Sequence, residues 1–235
     1  MVRRSSSAKV GPAKTLKRDD ASISGSSSHK PIYEHILDLA DSDVAIILSK
    51  LLPSDKLRMR LVCRKWGELF HQSQMWKALD LRTMFRSLAT EKMFIFSELA
   101  GESLNELNLA GCWQILDEDL RNISISCPNL AVLSVSNCWK ISDKGVMYLA
   151  QNSTRMVDLD LSYCGQLTCS GLMDHHWAQL QKANFSFCKQ MGDEHLEALL
   201  SKTSNIQSLS FRRCSRITDF GLFLVVRYCR YVFLL

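Results

Sequence analysis

Apolar positions along the second half of this chain recur in near-identical blocks. Leu104–Cys112 (LNELNLAGC) is followed by Leu130–Cys138 (LAVLSVSNC), Met156–Cys164 (MVDLDLSYC), Leu180–Cys188 (LQKANFSFC) and Ile206–Cys214 (IQSLSFRRC). The closing cysteines lie 26, 26, 24 and 26 residues apart. Inside each block a pair of apolar residues alternates with polar ones: Leu107/Leu109, Leu133/Val135, Leu159/Leu161, Ala183/Phe185 and Leu209/Phe211. A period of two predicts a short strand with one buried face. Three residues past each cysteine come Ile115, Ile141, Leu167, Met191 and Ile217, and eight past come Leu120, Val146, Leu172, Leu196 and Leu222. Gly145, Gly171 and Gly221 share a column seven residues past the cysteine.

A fixed period in this range marks one strand-plus-helix unit copied along a solenoid. The pattern predicts an α/β leucine-rich-repeat array, with parallel strands on the concave face and helices on the convex face. Each helix occupies the last ~15 residues of its unit. The third unit is two residues short and contains Asp174-His175-His176-Trp177, so its helix is expected to be cut down or replaced by a loop. Cys229–Leu235 aligns with Cys127–Leu133, which ends the chain inside a sixth strand. An apolar strand edge needs covering. The array is therefore expected to be a shortened product of a longer one, or to have its end covered by a partner.

Upstream, a different period holds. Val44, Ile47, Leu48 and Leu51 follow at i, i+3, i+4 and i+7, with Asp41 or Ser42 as cap, and Ile46 widens the apolar stripe beyond one core face. Pro53 is expected to stop that helix and Ser54 to cap the next, which carries Leu57 and Leu61. A third helix takes Val62, Trp66, Leu69 and Phe70. Such a small bundle with an over-wide apolar face predicts a partner. Trp76-x-x-Leu79-x-Leu81-x-x-Met84 fits the strand template of the repeats, so the bundle's end should supply the first strand. Phe85, Leu88, Phe94, Ile95, Phe96 and Leu99 are expected to fill the helical side of that first unit. Residues 70–100 hold no Ser/Gly/Pro run, which predicts a rigid joint.

Charge divides the chain differently. The net charge of +5 resides in residues 1–30, where seven Lys/Arg face Asp19 and Asp20; the remaining residues balance. The leader is Ser-rich and lacks aromatic residues, and is read as a disordered tail over 1–31. It contains a candidate phosphorylation site at Arg3-Arg4-Ser5-Ser6 and a basic Lys14–Arg18 stretch. A neutral globular part argues against nucleic-acid binding. No apolar run approaches a membrane span and no secretory leader is found, so the expected location is cytoplasmic, nuclear or both. The glycosylation matches at Asn122, Asn152 and Asn184 are then inert, and the nine cysteines are expected to be reduced.

Candidate chemistry is sparse. There is no C-x-x-C pair, and the cysteine ladder reads as small buried thiols at the strand-to-helix turn. His175-His176 are adjacent, a poor joint ligand set, and read as a loop pair. No phosphate-binding glycine loop or nucleophile elbow is present. The acids at Asp117-Glu118-Asp119 and Asp193-Glu194 suit helix starts. Neither a cofactor nor a metal is expected. Binding surface is more informative: the polar strand positions face the concave side, and Trp113, Trp139, Tyr163, Phe187 and Arg213 lie along one rim, the residue types that anchor protein interfaces. For Trp113 and Trp139, packing between repeats is an equal alternative.

The stretch Asp43–Leu81 resembles an F-box. The Leu52-Pro53 turn, the Arg60-Leu61-Val62-Cys63-Arg64-Lys65-Trp66 core and the closing Trp76-Lys77-Ala78-Leu79-Asp80-Leu81 carry the likeness. With the repeats behind it, the chain resembles the F-box and leucine-rich-repeat family, divided as 32–80 for the F-box and 81–235 for about six repeats. F-boxes commonly open with Leu-Pro; here the pair is Leu39-Ala40, which implies a weaker adaptor contact. The resemblance implies a non-catalytic substrate receptor that docks on a Skp-type adaptor and, through it, a cullin–RING ubiquitin ligase. Val44, Ile47, Leu48, Leu52, Pro53, Leu57 and Leu61 become the adaptor-contact candidates, with Cys63 and Trp66 read as core. The alternative is an assembly scaffold that has left ubiquitination.

Overall fold

The structure, a computed structural model, describes residues 39–84, 90–172, 177–203, 205–229 and 233–234. The Ser-rich leader, the start of order at Ile32, Phe85, Leu88, the His175-His176 pair and Leu235 lie outside the described residues. Among the described residues three helices come first: α1 (Asp41–Ser49), α2 (Pro53–Met59) and α3 (Arg64–Leu69). Their starts differ from the expected caps. Ala40, not Asp41 or Ser42, precedes α1, and its carbonyl accepts the Asp43 and Val44 N–H groups at 3.0 and 3.1 Å. Asp41 sits in the first turn, where the helix dipole favours it, and Lys65 of α3 reaches it at 3.0 Å. Pro53 opens α2 instead of stopping α1, because a first helical position needs no N–H; Leu52, not Ser54, is the residue before it. Val62 belongs to a turn, and extended Cys63 precedes α3.

These helices close over Met59, Leu69, Phe70, Met75 and Trp76, all buried. The Trp76 ring meets Phe70 edge-on at 5.1 Å, and its Nε1–H donates to the Phe70 carbonyl at 2.8 Å. Lys56 is buried with them. Its Nζ donates to the Met75 carbonyl at 2.8 Å, and burial, helped by the charge of Lys50, pulls its pKa down to about 8. Trp66 packs on this core partly buried, whereas Cys63 is only half-buried.

Strand β1 (Ala78–Asp80) follows directly and pairs with β2 (Glu106–Asn108), Leu79 lying opposite Leu107. The bundle therefore feeds its chain straight into the sheet. Five more strands add in sequence order: β3 (Val132–Ser134), β4 (Asp158–Asp160), β5 (Lys182–Asn184), β6 (Ser208–Ser210) and β7 (Phe233–Leu234). All pairs are parallel, and Leu107, Leu133, Leu159, Ala183 and Leu209 form one buried row. Alignment of the cysteines puts Leu235 opposite Leu209; the register puts Leu234 there, one residue short.

The connecting helices are α4 (Thr90–Ala100), α5 (Asp117–Ser126), α6 (Asp143–Asn152), α7 (Asp193–Ser201) and α8 (Asp219–Tyr228). The short third unit instead carries a 3-10 turn at Ser170–Leu172. Helix α4 buries Met93, Phe96 and Ala100, while Phe94 and Ile95, expected inside, face outward. The spacing 93, 96, 100 is one helical stripe, and 94 and 95 fall off it.

Two devices lock successive units. Each ladder thiol donates to a carbonyl of the preceding strand region: Cys138 to Leu109 at 3.2 Å, Cys164 to Val135 at 3.2 Å, Cys188 to Leu161 at 3.2 Å and Cys214 to Phe185 at 3.1 Å. A small donor is needed there, and burial of each thiol removes its water. On the helical side, Asp117 accepts both the N–H and the hydroxyl of Ser142, at 2.9 and 2.6 Å. Asp193 does the same for Thr218, at 3.0 and 2.5 Å. Glycine at 145 belongs to this contact, since a Cβ there would sit 2.5 Å from the Asp117 carboxylate.

Candidate functional site

Large apolar side chains reach solvent at three places on the first helices and their turns. Ile46 and Ile47 project from α1, Leu52 from the α1–α2 turn, and Leu61 and Val62 from the α2–α3 turn; Leu61 is 80% exposed. Exposed large apolar side chains concentrated on so small a bundle make this the first candidate for a docking surface. It differs from the residue set read off the sequence. Val44 and Leu48 are buried, and so is Pro53, while Leu57 is half-buried against the core. Positions 44, 45 and 48 share the inward stripe of α1, which sends 46 and 47 outward. Val44, Leu48 and Pro53 are therefore corrected to core residues. Ile46 and Val62 join Ile47, Leu52 and Leu61 on the outside. The sequence signal for Ile46 was its position off the i, i+3, i+4 series.

The second surface is the concave sheet and its rim. Side chains between the inward leucines bond across strands: Ser134 donates to Asp160 at 3.1 Å, Ser136 and Ser162 meet at 2.8 Å, and so do Ser186 and Ser210. Asp158 lies 4.0 Å from Lys182. Burial raises the Asp158 pKa, as does Asp160, against the pull of Lys182. A pocket of about 440 Å³ opens between the α1–α2 turn and this face, lined by Lys50, Leu52, Pro53, Asp80 and Glu106 among others.

At the rim the backbone turns left-handed once per unit: Gly111, Asn137, Tyr163, Phe187 and Arg213 have φ of 77°, 59°, 59°, 63° and 63°. Glycine and asparagine take this conformation readily; tyrosine, phenylalanine and arginine do so at a cost of about 1–3 kcal/mol each. Sheet-like hydrogen bonds past the strand ends hold them there, Tyr163 N–H to Ser186 at 2.9 Å and Phe187 N–H to Arg212 at 2.8 Å. The Tyr163 and Phe187 rings stack with centroids 4.2 Å apart. Trp113 and Trp139 stand two positions further on, 6.5 Å apart and tilted, with Lys140 Nζ 5.8 Å from the Trp113 centroid. The tryptophans touch each other and still expose 38% and 59% of their surface. Gly111 and Asn137 accompany the tryptophans and Gly165 accompanies Tyr163, whereas Lys189 accompanies Phe187. Arg213 ends the stripe, exposed.

Buried chemistry is of a different kind. All nine cysteines are free thiols, and burial pushes Cys112 and Cys214 up to about 11 and Cys127 and Cys164 up to about 12. A thiol held protonated is a poor nucleophile and a poor metal ligand. Among the described residues no group of three or more His, Cys, Asp or Glu is placed to hold a metal ion, and no helix is long and apolar enough to cross a membrane. The Asp117–Ser142 and Asp193–Thr218 contacts went unread in the sequence beyond their helix-start role, although Asp recurs five residues past the cysteine in four units.

A family profile described as F-box-like matches residues 45–82, and one described as Leucine Rich repeat matches residues 126–150. Among solved structures, the chain is similar to one in the crystal structure of the Rad7 and Elc1 complex in yeast. The two share 15% identity and a TM-score of 0.47, over 57% of this chain and 42% of that one. The match thus spans less than half of that structure's length. The chain thus joins an F-box-like domain, whose last strand starts the sheet, to a solenoid of leucine-rich repeats, the pair of modules that F-box and leucine-rich-repeat proteins combine.

Proposed function

We propose that this protein is the substrate-recognition subunit of a Skp–cullin–F-box type ubiquitin ligase. The observation that carries the reading is the exposed apolar set Ile46, Ile47, Leu52, Leu61 and Val62 on the F-box-like domain. On this reading a Skp-type adaptor covers that set. The aromatic rim holds a protein substrate, and the chain acts by bringing the two together, with transfer chemistry on other subunits. F-box and leucine-rich-repeat modules are typically adaptor and receptor modules.

The test is co-purification of the full chain with a recombinant Skp-type adaptor, beside an Ile47→Asp/Leu61→Asp variant. Both positions are exposed, so the variant should keep its circular dichroism spectrum and lose the adaptor. Absence of a complex from folded wild type would sink the receptor reading in favour of an assembly scaffold outside ubiquitination.

A further inference from the structure

The two halves of the rim differ in charge. At the Trp113–Trp139 end, Lys140 lies over the Trp113 ring. At the other end stand Lys189, Arg212, Arg213 and Arg216, all exposed. Arg216 is already held, by Gln190 at 2.9 Å and Glu194 at 3.7 Å. Lys189, Arg212 and Arg213 have no ion-pair or hydrogen-bond partner for their side chains among the described residues, whereas Lys144, Arg121, Lys182 and Arg82 each have one. Arg213 is also held in the left-handed region, which fixes its Cα at the rim while its side chain stays free. Other acids near this end are engaged or set back: Asp193 is bonded to Thr218, and Asp219 lies at the start of α8.

We infer that this end of the rim binds an acidic segment of the partner protein, its spaced carboxylates meeting Lys189, Arg212 and Arg213 while an apolar or aromatic side chain lies on the Tyr163–Phe187 stack. The inference rests on the receptor reading above and adds the class of substrate. Three cations unpaired among the described residues call for more than one carboxylate to neutralise them. Lys189 comes from one unit and Arg212 and Arg213 from the next, with strands ~4.8 Å apart, so successive carboxylates of one segment can meet one cation after another. The aromatic stack supplies apolar area with little rotamer entropy to lose.

Fluorescence anisotropy on the full chain tests this with three labelled twelve-residue peptides. One alternates Glu with Phe and Tyr, one has Gln for every Glu, and one has Gln throughout except for a central phosphoserine. The acidic peptide should bind most tightly, weaken with salt, and lose at least about fivefold in affinity on Lys189→Glu/Arg212→Glu/Arg213→Glu. Reversing Lys50, Lys77 and Arg155, exposed cations elsewhere, should leave it unchanged, and Tyr163→Ala/Phe187→Ala should weaken it. Equal binding of the acidic and Gln peptides, tighter binding of the phosphopeptide, or equal loss in the two charge-reversal variants would each overturn the inference. Adaptor co-purification of the same rim variants reads the receptor role independently. A retained adaptor with no acidic preference would remove the substrate class and leave that role standing.

Discussion

Helices α7 and α8 begin alike and end in different environments. Both start with Asp five residues past a ladder cysteine and place Leu eight past it. Leu196 of α7 is fully buried, yet Leu222 of α8 is 43% exposed; Leu200 is buried, yet its counterpart Val226 is 80% exposed. Asp193 caps the next unit through Thr218, while Asp219 has no such contact among the described residues. Phe220 and Phe223 are also exposed on α8. The two helices carry the same interface, and only the one with a following helix has it filled. In a solenoid, a repeat's own sequence specifies a contact that its neighbour completes.

The largest effect separating interior from end should come in alkali. Four ladder and helix-end thiols have folded pKa values raised by burial to about 11 or 12, above the ~8.5 of an unfolded cysteine. Their contribution is complete below pH ~8.5 and is lost as pH rises towards the folded values. Lys56 acts oppositely, since its lowered pKa adds stability between about 8 and 10.5, but it is one group against four. Denaturant midpoints should therefore fall steeply from pH 8 to pH 10. A flat profile would mean the thiols are not sealed from water.

Next in size is the leucine pair. Leu196→Ala should cost about 2–5 kcal/mol in urea unfolding. Leu222→Ala should cost less than about half of that, because the side chain is already partly exposed to water. Equal losses would mean that something covers α8 in solution. Smaller again is the aspartate pair: Asp193→Ala removes both hydrogen bonds to the exposed Thr218 and should cost about 0.5–1.5 kcal/mol, against a few tenths for Asp219→Ala.

How far the chain could be read without coordinates depended on which periodicity was unambiguous. The strand register was legible because Trp76, Leu79 and Leu81 repeat the spacing of Leu104, Leu107 and Leu109, and a one-residue slip would turn the leucines outward. The face of α1 was not. Val44, Ala45, Ile46, Ile47 and Leu48 are all apolar, so periodicity alone could not say which would lie against Met59 and Phe70. The same ambiguity placed Phe94 and Ile95 inside. The rim residues were visible as a column of bulky side chains beside the cysteines. Their left-handed backbone was not, since tyrosine, phenylalanine and arginine rarely adopt it and nothing local calls for it.

By itself, then, the amino-acid order determined the repeat, its parallel register, the polar concave face and the junction of the two modules, because spacing alone dictates which side chains can share a buried row. Tertiary structure decided what spacing leaves open. It chose the face of α1 that meets the core, turned each ladder thiol onto a carbonyl of the preceding unit, joined Asp117 to Ser142, and left Lys189, Arg212 and Arg213 without partners. Each of these depends on groups a full repeat or more apart in sequence, brought together only when neighbouring units pack.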